Sequence, residues 1–379
     1  MPHPKLRPTP LVLAAALLAS AWAAEPQVVK IGFAAPLTGP QAHYGADMKA
    51  GIVLALEDAN RQNLRIGGLP VRFELLAEDD QADPKAATGI AQRFVDARVA
   101  GVIGHFNSGT SIPASKVYAD AGIPQIAMAT APAYTAQGFK TTFRAMTSDT
   151  QQGSVMGGFV VKKLGLKKIA VIDDRTAYGQ GLADQFERAA RAAGGTVVQR
   201  EYTSDRATDF ASILTSIKAK KPDAVFYGGA DSQSAPLAVQ MKRLGLKAKL
   251  ISGEMTRTDT FLKLAGEAGD GAIASLAGLP AEQTPGSVAL LQRAKARFGA
   301  IEFYAPYSYD ATMVMVNAMK AAGSTQPARY LPLLAQTQYA GVTSAKIAYD
   351  ARGDLKNGDI TVYKADKGQW KVLETVSGG

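Results

Sequence analysis

Short runs of β-branched and apolar residues alternate along the chain with longer segments whose apolar positions recur three and four residues apart. Residues 28–33 read as a strand, and residues 45–60 as a helix with Ala50, Val53, Leu54 and Leu56 on one side. Residues 71–76 form the next strand. Asp83-Pro84 has the form of a helix start, with Asp as N-cap and Pro at the first helical position. Residues 99–104 are an unbroken apolar run, as expected of a central strand buried on both faces. A further strand is expected at 125–127, and the rhythm restarts at 168–172, 196–202, 223–227 and 249–251. Alternation of this kind predicts α/β architecture, with parallel sheets carrying helices on both faces. The whole pattern occurs once up to about Ser148 and once after it, which predicts two lobes. The length of 379 residues agrees with two domains.

The N-terminus is read differently. Lys5 and Arg7 precede an apolar run at 11–19, followed by Ser20-Ala21-Trp22-Ala23-Ala24. A basic start, a short apolar segment and an A-x-A site are the signature of a secretory signal peptide, with cleavage after Ala23. The run is too short to span a bilayer. The chain has no cysteine, so neither a lipid anchor on cysteine nor any thiolate chemistry is expected. The expected location is the periplasm. The 42 Lys and Arg against 33 Asp and Glu leave a net charge of +9, spread without a run of five basic residues, so no nucleic-acid partner is expected. With only His3, His43 and His105, a histidine-rich metal site is not expected either, and neither is a cofactor.

Catalytic signatures are thin. Gly179-Gln180-Gly181 supplies two glycines of a dinucleotide loop, but Asp184 stands where the third belongs. Neither a phosphate-binding G-x-x-x-x-G-K-[ST] loop nor a G-x-S-x-G elbow occurs. Asp79-Asp80 and Asp173-Asp174 sit at strand ends, where acids more often cap the following loop than act as acid and base. His105 close to Ser108 invites a hydrolase reading; a histidine satisfied by the loop backbone is the plainer one.

In open parallel sheets ligands sit beyond the carboxyl ends of the strands, near helix N-termini. Residues 104–110 leave a strand and lead into a helix around 114–119, so the Ser108 hydroxyl and nearby N–H groups could hold a carboxylate; Ser108 as a plain N-cap is the alternative. Ala129-Thr130-Ala131-Pro132 follows the strand at 125–127 and offers a second hydroxyl.

The run Lys30-Ile31-Gly32-Phe33-Ala34-Ala35-Pro36-Leu37-Thr38-Gly39-Pro40, then Tyr44-Gly45, resembles the opening of leucine/isoleucine/valine-binding proteins. These are type I periplasmic binding proteins, the substrate-binding components of ABC transporters. The likeness continues through Asp83-Pro84-Lys85-Ala86, Val102-Ile103-Gly104-His105 with Ser108, and Ala129-Thr130-Ala131-Pro132. It runs on through Ala177-Tyr178-Gly179-Gln180-Gly181, Tyr227-Gly228-Gly229, Gly253-Glu254 and Tyr309-Asp310-Ala311. Each motif is weak alone; their order and spacing are specific.

The resemblance implies two doubly wound lobes joined by three hinge strands. Residues 24–148 with 277–354 would form lobe one, and 149–276 with 355–379 lobe two. It implies a monomer that closes on a free amino acid, branched-chain or otherwise aliphatic, delivers it to an ABC permease, and is not an enzyme. Ser108 and Thr130, with Ala129, would hold the ligand carboxylate, and Glu254 its ammonium. Tyr178 would face the cleft from lobe two. Tyr44, in the first strand–helix loop, and Tyr304 would line it from lobe one. Two departures stand out: Ala230 replaces a ligand-reaching tyrosine, and Ala82 and Asn107 occupy the places of a cysteine pair found in some members. The competing readings are the same fold binding an aromatic acid, amide or urea-like solute, and an exported α/β hydrolase.

Overall fold

The structure, a computed structural model, describes residues 25–356 and 358–377. The expected signal segment lies outside the described residues.

The strands are β1 (Gln27–Ala35), β2 (Arg65–Ile66), β3 (Leu69–Asp79), β4 (Gly101–Gly104), β5 (Gln125–Ala127), β6 (Thr142–Arg144) and β7 (Lys168–Asp173). They continue with β8 (Thr196–Tyr202), β9 (Ala224–Gly228), β10 (Lys249–Ser252), β11 (Ile273–Ala277), β12 (Ile360–Asp366) and β13 (Gln369–Val376). The first sheet has the order β2-β3-β1-β4-β5-β6 and the second β13-β12-β11-β10-β9-β7-β8. Both are parallel at their centres, with Ile31 opposite Gly101 in the first and Ile169 opposite Ala224 in the second. Antiparallel pairs occur only at edges: β2 on β3, and the β12–β13 hairpin on β11. In each sheet the winding reverses beside its first strand, between β1 and β4 and between β7 and β9. That reversal opens a crevice at the carboxyl ends.

The expected elements form, with two informative shifts. The run at 99–104 pairs as a strand only from Gly101, because the Val99 N–H donates to Phe94 O (3.1 Å) and completes the end of the helix Pro84–Asp96. Asp83 caps that helix as expected, accepting from Lys85 N (2.7 Å) and Ala86 N (2.9 Å). The first long helix spans Ala42–Arg61, three residues earlier than the apolar periodicity suggests. Ala42 N and Tyr44 N already bond to Gly39 O and Gln41 O, so the turn winds directly out of Gly39-Pro40. Tyr44 therefore sits on a helix, not in a loop.

The chain leaves the first sheet after Arg144, leaves the second after Ala277 and re-enters it at Ile360. Between the last two crossings the helix Ala305–Ala322 packs along Ala42–Arg61. A Cβ on Gly51 would collide with Ala305 O, so glycine sets that approach. The helix Asp149–Gly158 packs instead on Ala177–Ala192, beside the second sheet.

Candidate functional site

Four loops converge where the carboxyl ends of the two sheets face each other. From the first sheet, β4 leads into the helix Ser108–Asp120. Asn107 holds the N-cap position with extended backbone and makes no side-chain cap bond. Ser108 is thus not a cap. Its buried hydroxyl accepts from Ala131 N (3.2 Å) and ties the loop after β4 to the loop after β5. Arg144, fully buried, braces that second loop from behind. Its guanidinium donates to Ala129 O, to Ala131 O (3.2 Å) and to Thr135 Oγ1 (3.0 Å), and its Nε bonds Asp354 (2.8 Å). The Ala129 carbonyl thus faces the brace, while the Thr130 hydroxyl reaches across to Glu254 Oε1 (3.5 Å).

From the second sheet come Tyr178, Glu254 and Asp149. Thr176 caps the helix Ala177–Ala192 by accepting from Gly179 N (2.9 Å), which sets Tyr178 in the first turn. Glu254 opens a one-turn 3-10 helix, Glu254–Thr256, directly after β10. A Cβ on Gly253 would meet the Tyr178 hydroxyl at 2.5 Å, so glycine there lets the tyrosine lie against this turn. The Glu254 carboxylate is buried and accepts from the Gln152 amide, whose Oε1 is fixed by Ser275 Oγ (2.6 Å). Asp149, at the start of the helix Asp149–Gly158, is fully buried, and neither carboxylate oxygen has a hydrogen-bond partner among the described residues. Burial first, then the neighbouring Glu254 charge, push Asp149 well above the usual carboxylate range. Burial raises Glu254 too, against the pull of Gln152 and Thr130. Two carboxylates thus share a buried cluster; Arg144 acts on Asp149 only at a distance, and neither acid has an ion-pair partner among the described residues. The buried hydroxyl of Tyr178 lies beside Glu254 and lowers it, that of Tyr304 is unpartnered among the described residues, and both feel the Glu254 charge.

Aromatic rings close the side of this cluster. Tyr44 stacks on Phe106 (centroids 4.9 Å apart), and both meet Tyr304 edge-on, at 5.8 and 5.0 Å. The Tyr44 hydroxyl donates to Met255 O (2.6 Å) and accepts from Asp231 N (3.4 Å). This tyrosine from the first lobe therefore fills space beside Ala230, where the resemblance led us to expect a missing wall. Asp149 and Phe106 escape the sequence reading. An acid in a first turn is ordinarily explained by the helix dipole. Phe106 next to His105 could have been noticed as an apolar residue in a polar loop.

The hydrolase reading finds no support in the geometry. His105 is buried, but its Nδ1 bonds Asp80 (2.7 Å) and its Nε2 bonds the Tyr118 hydroxyl (3.0 Å), with no bond to Ser108. It is satisfied by side chains, where the loop backbone was expected to serve. Asp79 binds Leu37 N (2.8 Å) and Gln81 N (2.9 Å), and Asp174 binds Thr176 N (2.9 Å), so these acids serve their loops. Among the described residues no group of three or more His, Cys, Asp or Glu could hold a metal, and no helix is long and apolar enough to cross a membrane.

Two doubly wound lobes meeting over a cleft of convergent polar groups and aromatic walls define a two-lobed ligand-binding protein. Comparison with known proteins places the chain more narrowly. The periplasmic binding protein family matches residues 28–369, and the chain belongs to that family. It is 34% identical over 351 residues to the Leu/Ile/Val-binding protein homolog 1 of Brucella suis, covering 92% of each chain. It is 33% identical over 343 residues to the leucine-, isoleucine-, valine-, threonine- and alanine-binding protein of Pseudomonas aeruginosa, covering 89% of this chain and 90% of that one. The structure superposes on the branched-chain amino acid transporter substrate-binding protein of Streptococcus pneumoniae in complex with isoleucine with a TM-score of 0.83. That match is at 23% identity and covers 93% of this chain and 100% of that one, which shows the shared fold.

Proposed function

We propose that the protein is the exported receptor of an ABC transporter, a monomer that binds one free aliphatic α-amino acid between its lobes and presents it to the membrane permease. In this reading it carries out no chemistry on the ligand. The observation that carries the reading is the buried pair Glu254 and Asp149, the second with neither oxygen hydrogen-bonded among the described residues. A ligand ammonium would supply a partner, because a charge removed from water must be paired. The carboxylate of the same ligand would lie at the start of the helix Ser108–Asp120, near the Ser108 and Thr130 hydroxyls and the backbone of Ala129. Tyr44, Tyr178 and Tyr304, joined by Phe106, would enclose the side chain. The names of the Brucella and Pseudomonas relatives support small aliphatic ligands. A simple aromatic acid fits less well, since it would bring a carboxylate toward the buried acids with no ammonium to offset it.

The lobes would comprise residues 24–148 with 277–354, and 149–276 with 355–379. Packing of the helix Ala305–Ala322 on Ala42–Arg61, and of Asp149–Gly158 on Ala177–Ala192, supports this division. Export would follow from signal cleavage near Ala23. A thermal-shift screen of the twenty amino acids and a set of small organic acids tests the proposal, because a ligand that binds only the folded state raises the midpoint. Branched-chain amino acids should give the largest shifts. A shift produced only by acids without an amine would overturn it.

A further inference from the structure

His43 and Asp231 stand on opposite sides of the cleft, 188 residues apart in sequence, and meet at 2.9 Å between Nε2 and Oδ2. His43 lies in the first turn of the helix Ala42–Arg61, and Asp231 opens the helix Asp231–Arg243 after β9. Asp231 is fully buried; the same Oδ2 accepts from Thr258 Oγ1 (2.7 Å), and its Oδ1 has no partner among the described residues. The His43 side chain keeps 24% of its surface exposed, so it can exchange a proton with solvent. The neighbouring Tyr44 ring lies 3.9 Å from the imidazole and crosses the same interface.

We propose that His43 and Asp231 form a pH-dependent clasp between the lobes, a positioning pair that favours the closed form when His43 is protonated. Separating the lobes would break this contact and expose Asp231. Burial pulls His43 down, but the hydrogen bond and charge of Asp231 outweigh it, and the net direction is up from the usual imidazole value. The contribution to closure is therefore complete below the ordinary imidazole range and is lost as pH rises through the raised value. Two other acids act on His43, Glu302 and Asp47. The Glu302 carboxylate accepts from Asp259 N (2.8 Å), Thr260 N (3.1 Å) and Thr260 Oγ1 (2.9 Å) across the same interface. Asp47 accepts from Phe303, Tyr304 and Ala305 N–H groups on its own side, and burial raises it to about 7. Among the described residues, only the His43–Asp231 contact joins an imidazole to the other lobe.

The test is small-angle scattering of the ligand-free mature chain between about pH 5.5 and about pH 8.5, a span around the ordinary imidazole value, with proton NMR of the His43 ring. Wild type should be more compact at the acid end than His43→Gln or Asp231→Asn, and should expand more as pH rises. Both variants leave Asp149 and Glu254 intact, so any pH response of that acid pair cancels in the comparison. The His43 resonance should titrate at higher pH in wild type than in Asp231→Asn. Equal compaction in wild type and both variants, or a His43 titration unmoved by Asp231→Asn, would overturn the clasp. No ligand is involved, so this result is independent of whether an amino acid binds.

Discussion

The acid pair makes a prediction that a single counter-charge would not. If Glu254 alone faced the ligand ammonium, Glu254→Gln would leave that ammonium buried among neutral groups, at a cost of roughly 3–5 kcal/mol. Asp149 changes the arithmetic. It is fully buried, and burial first, then the neighbouring Glu254 charge, raise it well above the usual carboxylate range. Once Glu254 is neutral, that repulsion is gone, and the ligand ammonium offsets the burial that still disfavours the charge, so Asp149 can ionise against it. The loss in Glu254→Gln is then about that of one hydrogen bond to a charged group, roughly 1.5–3 kcal/mol, or about one to two decades in Kd. The double variant Glu254→Gln/Asp149→Asn removes both anions and should reach the full roughly 3–5 kcal/mol, about two to four decades. Asp149→Asn alone should cost less than either, so the three variants form a non-additive cycle. Calorimetric titration with L-leucine measures each corner, with circular dichroism to check folding. If the double variant binds L-leucine as tightly as wild type, neither acid holds the ammonium. If Glu254→Gln already equals the double variant, Asp149 does not reach the ligand.

The remaining predictions concern protons and braces. Burial raises both carboxylates and a paired ammonium counteracts it, so binding should release protons and tighten as pH rises through the raised carboxylate range. Binding heats should accordingly depend on the ionisation enthalpy of the buffer; buffer-independent heats would count against that release. Ser108→Ala leaves the Ala131 N–H without its acceptor and should weaken binding by roughly 1–3 kcal/mol, read by the same titration. Arg144→Leu leaves the buried carbonyls of Ala129 and Ala131 without this donor and Asp354 with only Thr135 and Arg352 among the described residues, and should lower stability by roughly 3–5 kcal/mol in urea unfolding. His105→Ala should likewise show its effect in unfolding midpoint, with ester hydrolysis at background in both wild type and variant.

What was legible in the sequence is what a single element or a local loop decides. Alternating apolar runs located the central strands, and Asp83-Pro84 located a helix start, because both are written within a few residues of themselves. The positions at the carboxyl ends of strands pointed to Ser108 and Thr130 for the same reason, since topology places them at the crevice whatever they touch, whereas Glu254 was singled out only by the family resemblance. The start of the first long helix was misread because Ala42, His43 and Tyr44 lie before the clear apolar period, and winding there depends on the turn at Gly39-Pro40. Partnerships across the cleft were not legible. Tyr44 with Met255, His43 with Asp231 and Glu302 with Thr260 join residues far apart in sequence, and no periodicity records which loop faces which. The pairing of Asp149 with Glu254 was hidden in the same way, since an acid in a first helical turn needs no partner to explain it.

The central claim is that the cleft recognises both charged ends of an amino acid at once. Titration of wild type with L-leucine, L-isoleucine and L-valine, beside 4-methylpentanoate and isopentylamine as leucine lacking one charged end each, tests it most directly. Saturable binding is expected for at least one of the amino acids, with a loss of about two decades or more for both truncated compounds, since each leaves one buried site unpaired. Binding of 4-methylpentanoate as tight as that of L-leucine would contradict it, because the buried acids would then have no ammonium to hold.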